Sequence, residues 1–249
     1  MDRATASSNR EPRRATLRQR VFEALRERIM QGEYGADQQL PSESVLMQDY
    51  GVSRVTIRLA LRDLVDLGLI HTQQGRGSFV SAPRATYNLS ALLGFNEATQ
   101  GRPFAATSKV LSARPVRATR DVARALRLPR SASALEVHRV RCLNARPVSV
   151  EISYFPEEIG ARLCGHDLSQ DIFPLLERLG IGLDRSLLLI EARGCPADVA
   201  VDLELDRGFP ILQLNRLTLD TLGRPVDYEQ IYCRGDAYQY RVELRRSPS

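Results

Sequence analysis

The chain has 249 residues, 43% of them hydrophobic, which is enough for two domains with cores of their own. No apolar run reaches membrane-spanning length and the first residues, MDRATASSNREPRRAT, are polar and basic, so the expected setting is cytoplasmic with no membrane partner. A net charge of +5 permits a nucleic-acid partner without requiring one, and four scattered cysteines lacking a CxxC pair argue against a zinc site or a disulfide framework.

Residues 1–16 read as a disordered basic tail. From there LRQRVFEALRERIMQG places Leu17, Val21, Ala24, Leu25, Arg28 and Ile29 on one face of a helix that stops at Gly32. Ser42 then stands as N-cap before a second helix from Glu43 to Asp49, Gly51 ends it, and Ser53 caps a third. Two helices joined by so short a turn form the helix-turn-helix pattern, in which the second lies in the major groove. On that third helix Ile57, Ala60, Leu61 and Leu64 form the core stripe. Arg54, Arg58 and Arg62 line a neighbouring face, with Thr56 in the first turn, where side chains reach base edges. A solvated arginine row would look the same, but GLIHTQQGRGSFVSAP follows as strand, tight turn and strand, with Gly75 and Gly77 flanking Arg76. Three helices and a β-wing make a winged helix.

The stretch from Leu17 to Val80 resembles the DNA-binding domain of the GntR family of bacterial repressors. The matching motifs are LPSE at 40–43, GVSRVTIR at 51–58 and a GxG wing ending in Phe79-Val80. The resemblance implies that Ser42 and Glu43 open the second helix near the DNA backbone, that Arg54, Thr56 and Arg58 contact bases and phosphates, and that Gly77 brings the wing to the minor groove. The family's usual arginine after LPSE is Ser44 in this chain, and its Pro-Gly before LPSE is replaced by Ala36-Asp37-Gln38-Gln39.

SAPRATYNLS at 81–90 lacks periodicity and reads as a linker. Beyond it a second domain, 91–249, begins with a short helix near 96–100 and a long strand, PFAATSKVLSARPV, followed by a duplicated unit. RPVSVEISY at 146–154 returns as RPVDYEQIY at 224–232, and DVARALRL at 121–128 returns as DVAVDLEL at 198–205. Each unit reads as a helix and a hairpin, which predicts an α+β domain with a central antiparallel sheet and pseudo-two-fold symmetry. A four-residue TLGR loop pairing Asp220 with Pro225 puts Arg216 opposite Glu229. A three-residue loop pairing Cys142 with Val148 puts Arg139 opposite Glu151. These pairs are either salt bridges on a solvated face or the wall of a pocket in which Arg139, Arg141 and Glu151 meet a ligand.

From about Asn88 to Arg245 the chain resembles the effector-binding UTRA domain of the HutC subfamily of GntR regulators, which is similar in fold to chorismate lyase. The motifs are LLGFNEATQGRP, VHRVRCLNARPVSVEISYFP and GRPVDYEQIYCRGDAYQYRVEL. The resemblance implies that Phe95 and Asn96 offer a helix N-terminus to an anion, that Arg139 and Arg141 clamp it, and that Glu151 and Glu229 accept hydrogen bonds from ligand hydroxyl or amine groups. Phosphosugar-binding relatives carry Ser-x-Tyr where SQDIFPLLERLG has Asp171 and Phe173. A carboxylate beside a phosphate is repulsive, which favours a carboxylate, phosphonate or zwitterionic effector over a phosphosugar.

His71, His138 and His166 offer no metal spacing, and no nucleophile elbow or phosphate loop is present, so neither a catalytic site, a metal nor a cofactor is expected. The sequence therefore reads as a ligand-responsive repressor that binds a palindromic double-stranded DNA operator as a homodimer and is released by a small anionic or zwitterionic metabolite. The alternatives are an activator that needs ligand to bind DNA and an enzyme that uses Glu151 and Glu229 as an acid/base pair.

Overall fold

The computed structural model describes residues 16–82, 85–89, 91–102 and 104–244. Residues 1–15 of the basic tail and residues 83, 84 and 90 of the linker lie outside that set.

The N-terminal domain is built on α1 (Leu17–Met30), α2 (Glu43–Tyr50) and α3 (Arg54–Asp66), followed by the strands β1 (Ile70–Gln73) and β2 (Gly77–Val80). Val21, Leu25 and Ile29 of α1 are buried against Leu46 of α2 and the stripe Ile57, Ala60, Leu61 and Leu64 of α3. The side chains of Ser42 and Ser53 accept hydrogen bonds from Val45 N and Thr56 N, satisfying otherwise orphaned donors in the first turns of α2 and α3. β1 and β2 pair antiparallel from Ile70↔Val80 to Gln73↔Gly77, which forms the wing.

The second domain is a six-stranded antiparallel sheet in the order β4-β5-β6-β9-β8-β7. Its strands are β4 (Ala106–Arg117), β5 (Ser133–Leu143), β6 (Arg146–Pro156), β7 (Leu183–Gly194), β8 (Pro210–Asp220) and β9 (Pro225–Arg234). The helices α5 (Arg120–Ala125) and α8 (Ala197–Asp202) cover one face. The opposite face is packed by α4 (Phe95–Thr99), α6 (Glu157–Leu163) and α7 (Ile172–Arg178). The duplication is larger than the sequence reading had it: β4-α5-β5-β6 and β7-α8-β8-β9 are equivalent, and their central strands β6 and β9 meet at the middle of the sheet, Ser153 opposite Glu229.

Three local readings are corrected. The first hairpin turn has two residues, Asn144 and Ala145, both at positive φ, and a bulge shifts the register so that Cys142 pairs with Pro147 rather than Val148. In the second hairpin Leu219, not Asp220, pairs with Pro225, again through a bulge. Residues 85–88 within the supposed linker form a strand, β3 (Ala85–Asn88), which pairs in parallel with the C-terminal strand β10 (Tyr238–Arg241) and tethers the start of the domain to its end.

Candidate functional site

The DNA-facing candidates gather around the α2–α3 turn. Arg54 and Arg58 extend from α3 with side chains 64% and 71% exposed. Glu43 at the start of α2 lies 3.9 Å from Arg54 and 3.4 Å from Arg58, so it holds both guanidinium groups on one surface without neutralising the row. Thr56 Oγ1 lies 3.0 Å from the Ser53 hydroxyl, and Ser42 shares a 2.9 Å hydrogen bond with Ser44, the residue that stands where the family has arginine. At the wing tip a Cβ on Gly77 would meet the Gln39 amide at 2.8 Å in a backbone with φ +112, and that amide donates to the Arg76 carbonyl. The wing is therefore braced from the loop that precedes α2.

The second site lies on the inner face of the sheet, at the pseudo-two-fold axis. Alternation sends Arg139 and Arg141 of β5, Glu151 and Ser153 of β6, Arg216 of β8 and Asp227 and Glu229 of β9 to the same side. Arg139 faces Glu151 and Arg216 faces Glu229, the registers expected from the sequence. The face is not solvated: Arg139 is 1%, Arg141 2%, Glu229 2% and Glu151 6% exposed. Arg139 Nη2 stands 3.1 Å from Glu151 and 3.5 Å from Glu229, and donates to Ser153 Oγ, whose hydroxyl donates in turn to Glu229. Arg141 Nε donates to Glu151 at 2.9 Å, and its other arm bonds Ser108 Oγ and lies 3.8 Å from Asp171. Arg216 Nε binds Glu229 at 2.5 Å.

Three guanidinium groups thus meet three carboxylates, Glu151, Glu229 and Asp171, in one buried network, in which Arg139 Nε and Asp171 Oδ1 have no hydrogen-bond partner among the described residues. Burial raises the Glu151 carboxyl, but Arg141 and Arg139 more than offset this and hold it below the usual carboxylate range. Burial, then Arg141, draws the Arg139 guanidinium down. Asp227 is the exception: burial, reinforced by the Glu229 charge, pushes its carboxyl well above the ordinary range, and neither oxygen has a hydrogen-bond partner.

Beside this network opens a small cavity of about 70 Å³. Glu151 and Arg216 line it, together with Phe95 and the tyrosines Tyr87, Tyr238 and Tyr240. Tyr87 and Tyr238 stack with ring centres 4.9 Å apart, and the Tyr238 hydroxyl bonds Ser149 Oγ at 2.9 Å. Arg139 and Arg141 are not on this wall; they lie behind it, with the Arg141 guanidinium 5.4 Å from the Phe95 ring centre. Asn96 faces a separate shallow groove. Asp171, at the start of α7, accepts a 3.0 Å hydrogen bond from Glu97 N, so the first turn of α4 is capped by the protein's own carboxylate. The close packing depends on Gly94, where a Cβ would lie 2.4 Å from Asp171 Cγ. Sequence reasoning omitted Arg216 and the three tyrosines from the site. The duplication does signal Arg216, as the repeat equivalent of Arg139, whereas Tyr87 was hidden in the supposed linker.

A winged helix with an exposed basic face, joined to a domain whose cavity sets Glu151 and Arg216 among apolar and aromatic side chains, defines a one-component transcription regulator. The model of the bacterial regulatory proteins of the gntR family matches residues 17–80, and that of the UTRA domain matches residues 101–239. The chain is 30% identical over 221 residues to the HTH-type transcriptional repressor NagR of Bacillus subtilis, covering 88% of this chain and 91% of that protein. It is 26% identical over 234 residues to the mannosyl-D-glycerate transport/metabolism system repressor MngR of Escherichia coli, covering 94% and 98%. The structure of PhnF from Mycobacterium smegmatis superposes with a TM-score of 0.66 at 22% identity, over 91% of this chain and 100% of that one. The chain belongs to the GntR family of bacterial regulators and carries a UTRA effector-binding domain. It is a ligand-responsive transcriptional repressor.

Proposed function

We propose that the protein binds a palindromic operator as a cytoplasmic homodimer of the HutC type and is released when a small zwitterionic metabolite fills the cavity beside Glu151 and Arg216. The observation that carries the effector class is the closed charge balance. Every guanidinium of the cluster already faces a carboxylate, so a simple anion would bring an unmatched charge into a buried site. A ligand with its own cation and anion leaves the balance intact. Its ammonium meets Glu151, its carboxylate or phosphonate meets Arg216, the least buried of the three arginines at 18% side-chain exposure, and the tyrosine hydroxyls supply neutral hydrogen bonds. Arg139 and Arg141 orient Glu151 from behind.

The reading as a binding site rather than a catalytic one rests on the same network. Glu151 is held below the ordinary carboxylate range by Arg141 and Arg139, so it is not poised to move a proton near neutral pH. Release requires the ligand to bind the DNA-incompetent arrangement more tightly than the competent one. The test is fluorescence anisotropy of operator-bound protein titrated with matched sets of amino acids, aminophosphonates, simple carboxylates and sugar phosphates. Release by zwitterions at concentrations that leave the other sets inert supports the reading. Release by a simple sugar phosphate alone overturns the effector class.

A further inference from the structure

β7 is an edge strand that nothing covers among the described residues. Its centre, Leu187 to Ile190, exposes four consecutive large apolar side chains at 58%, 37%, 56% and 36%. The other edge strand, β4, is defended: it carries Lys109, Arg114, Pro115 and Arg117, with a bulge between Val110 and Ser112. Charge, proline and bulges are the devices by which edge strands avoid pairing with another chain. The centre of β7 has none of them, and its charges sit only toward its ends.

We propose that β7 is the seam of the homodimer, two copies pairing antiparallel about a two-fold axis through Leu188; the proposal rests on the dimeric reading above and names its surface. A two-fold axis normal to the sheet keeps each side chain on its own face, so the axis must pass through a residue rather than between two. Centred on Leu188, the pairing sets Leu187 opposite Leu189 and Arg185 opposite Glu191, each twice. Centred one residue further on, it would oppose Arg185 to Arg193 and Leu187 to Glu191. Only the first register matches charge with charge and leucine with leucine. In the single chain the Arg185 guanidinium rests on its neighbour Asp184.

The seam also touches the effector site. Leu188 lines the cavity and pairs with Arg216 across β7 and β8, so each cavity abuts the two-fold axis through one leucine. A ligand held by Arg216 therefore contacts the strand on which dimerisation depends.

The experiment is sedimentation velocity on the full chain over a range of concentrations, with far-UV circular dichroism to verify folding. Arg185→Glu and Glu191→Arg each place like charges opposite one another twice, and each is expected to raise the dimer dissociation constant about tenfold. The double variant Arg185→Glu/Glu191→Arg restores both pairs and returns the constant to within about threefold of the parent. As a second measurement, Leu188→Cys in a Cys164→Ser background cross-links to a covalent dimer on mild oxidation, because facing Cα atoms in an antiparallel pair are about 4.5–5.5 Å apart. A parent that stays monomeric overturns the dimeric reading and this inference together. A dimer insensitive to the charge reversals and without the cross-link overturns the seam alone. Open-ended aggregation in place of a dimer also overturns it.

Discussion

Replacing Arg139 with Met removes the guanidinium from the centre of the buried network while keeping most of its volume. Arg139 lies within 3.1 Å of Glu151 and 3.5 Å of Glu229, and its own side chain is 1% exposed. Deleting one partner of such a cluster strands charge in the interior, which costs about 3–5 kcal/mol. With a urea slope of about 2 kcal/mol per molar, the effector-domain transition moves down by about 1.5–2.5 M. The loss is also pH-dependent. In the parent the Glu151 carboxyl is held below its ordinary value, so its stabilisation is complete above the unfolded pKa and is lost as pH falls through the folded one. In the variant burial acts with less opposition and raises that carboxyl, which takes up a proton at higher pH. The gap between parent and variant therefore narrows between pH 7.5 and pH 5. Adding Glu151→Gln alone restores the balance, with Arg141 facing Asp171 and Arg216 facing Glu229, and recovers stability relative to Arg139→Met alone. Urea denaturation followed by circular dichroism at the two pH values checks this. A gap that stays constant or widens on acidification would show that Arg139 does not hold Glu151.

Asp227→Asn replaces a carboxyl whose folded pKa is raised by burial, so the parent loses stability as pH rises from the ordinary carboxylate range toward that folded value. The variant lacks this slope and gains on the parent from pH 4 to pH 8 in thermal melts. Gly94→Ala forces the Asp171 carboxylate away from Glu97 N and is expected to weaken effector binding about tenfold in calorimetry while leaving operator affinity unchanged. Arg58→Ala weakens operator binding by about 1–3 kcal/mol and relaxes base preference at the position it reads, measured by anisotropy on single-base operator variants.

The features legible in the sequence are those governed by local periodicity. The α3 stripe follows from 3.6-residue spacing, and the Arg139↔Glu151 and Arg216↔Glu229 registers follow from alternation on hairpin strands. β7 was missed because an edge strand exposed on both faces has no reason to alternate, and Leu187 to Ile190 does not. Its equivalence to β4 was masked as well: Ala113-Arg114 stands two residues further from the following DVA motif than does Ala192-Arg193. β3 was read as linker because its partner β10 lies about 150 residues away, and no local signal encodes a parallel pairing at that range. The capping of α4 by Asp171 is likewise long-range, joining residues 74 apart in the chain. The sequence reading set Asp171 beside the ligand; in the structure it accepts from Glu97 N and lies near Arg141, and that contact enters the charge balance on which the effector class is proposed.

The central claim is that the exposed face of α3 reads a specific operator. Anisotropy of the full chain on DNA from upstream of its own gene, at two salt concentrations and with excess non-specific competitor, tests it most directly. The account predicts binding that survives the competitor and falls only moderately with salt, because base contacts add to phosphate contacts. Binding that the competitor abolishes and salt removes would be phosphate attraction alone and would contradict it.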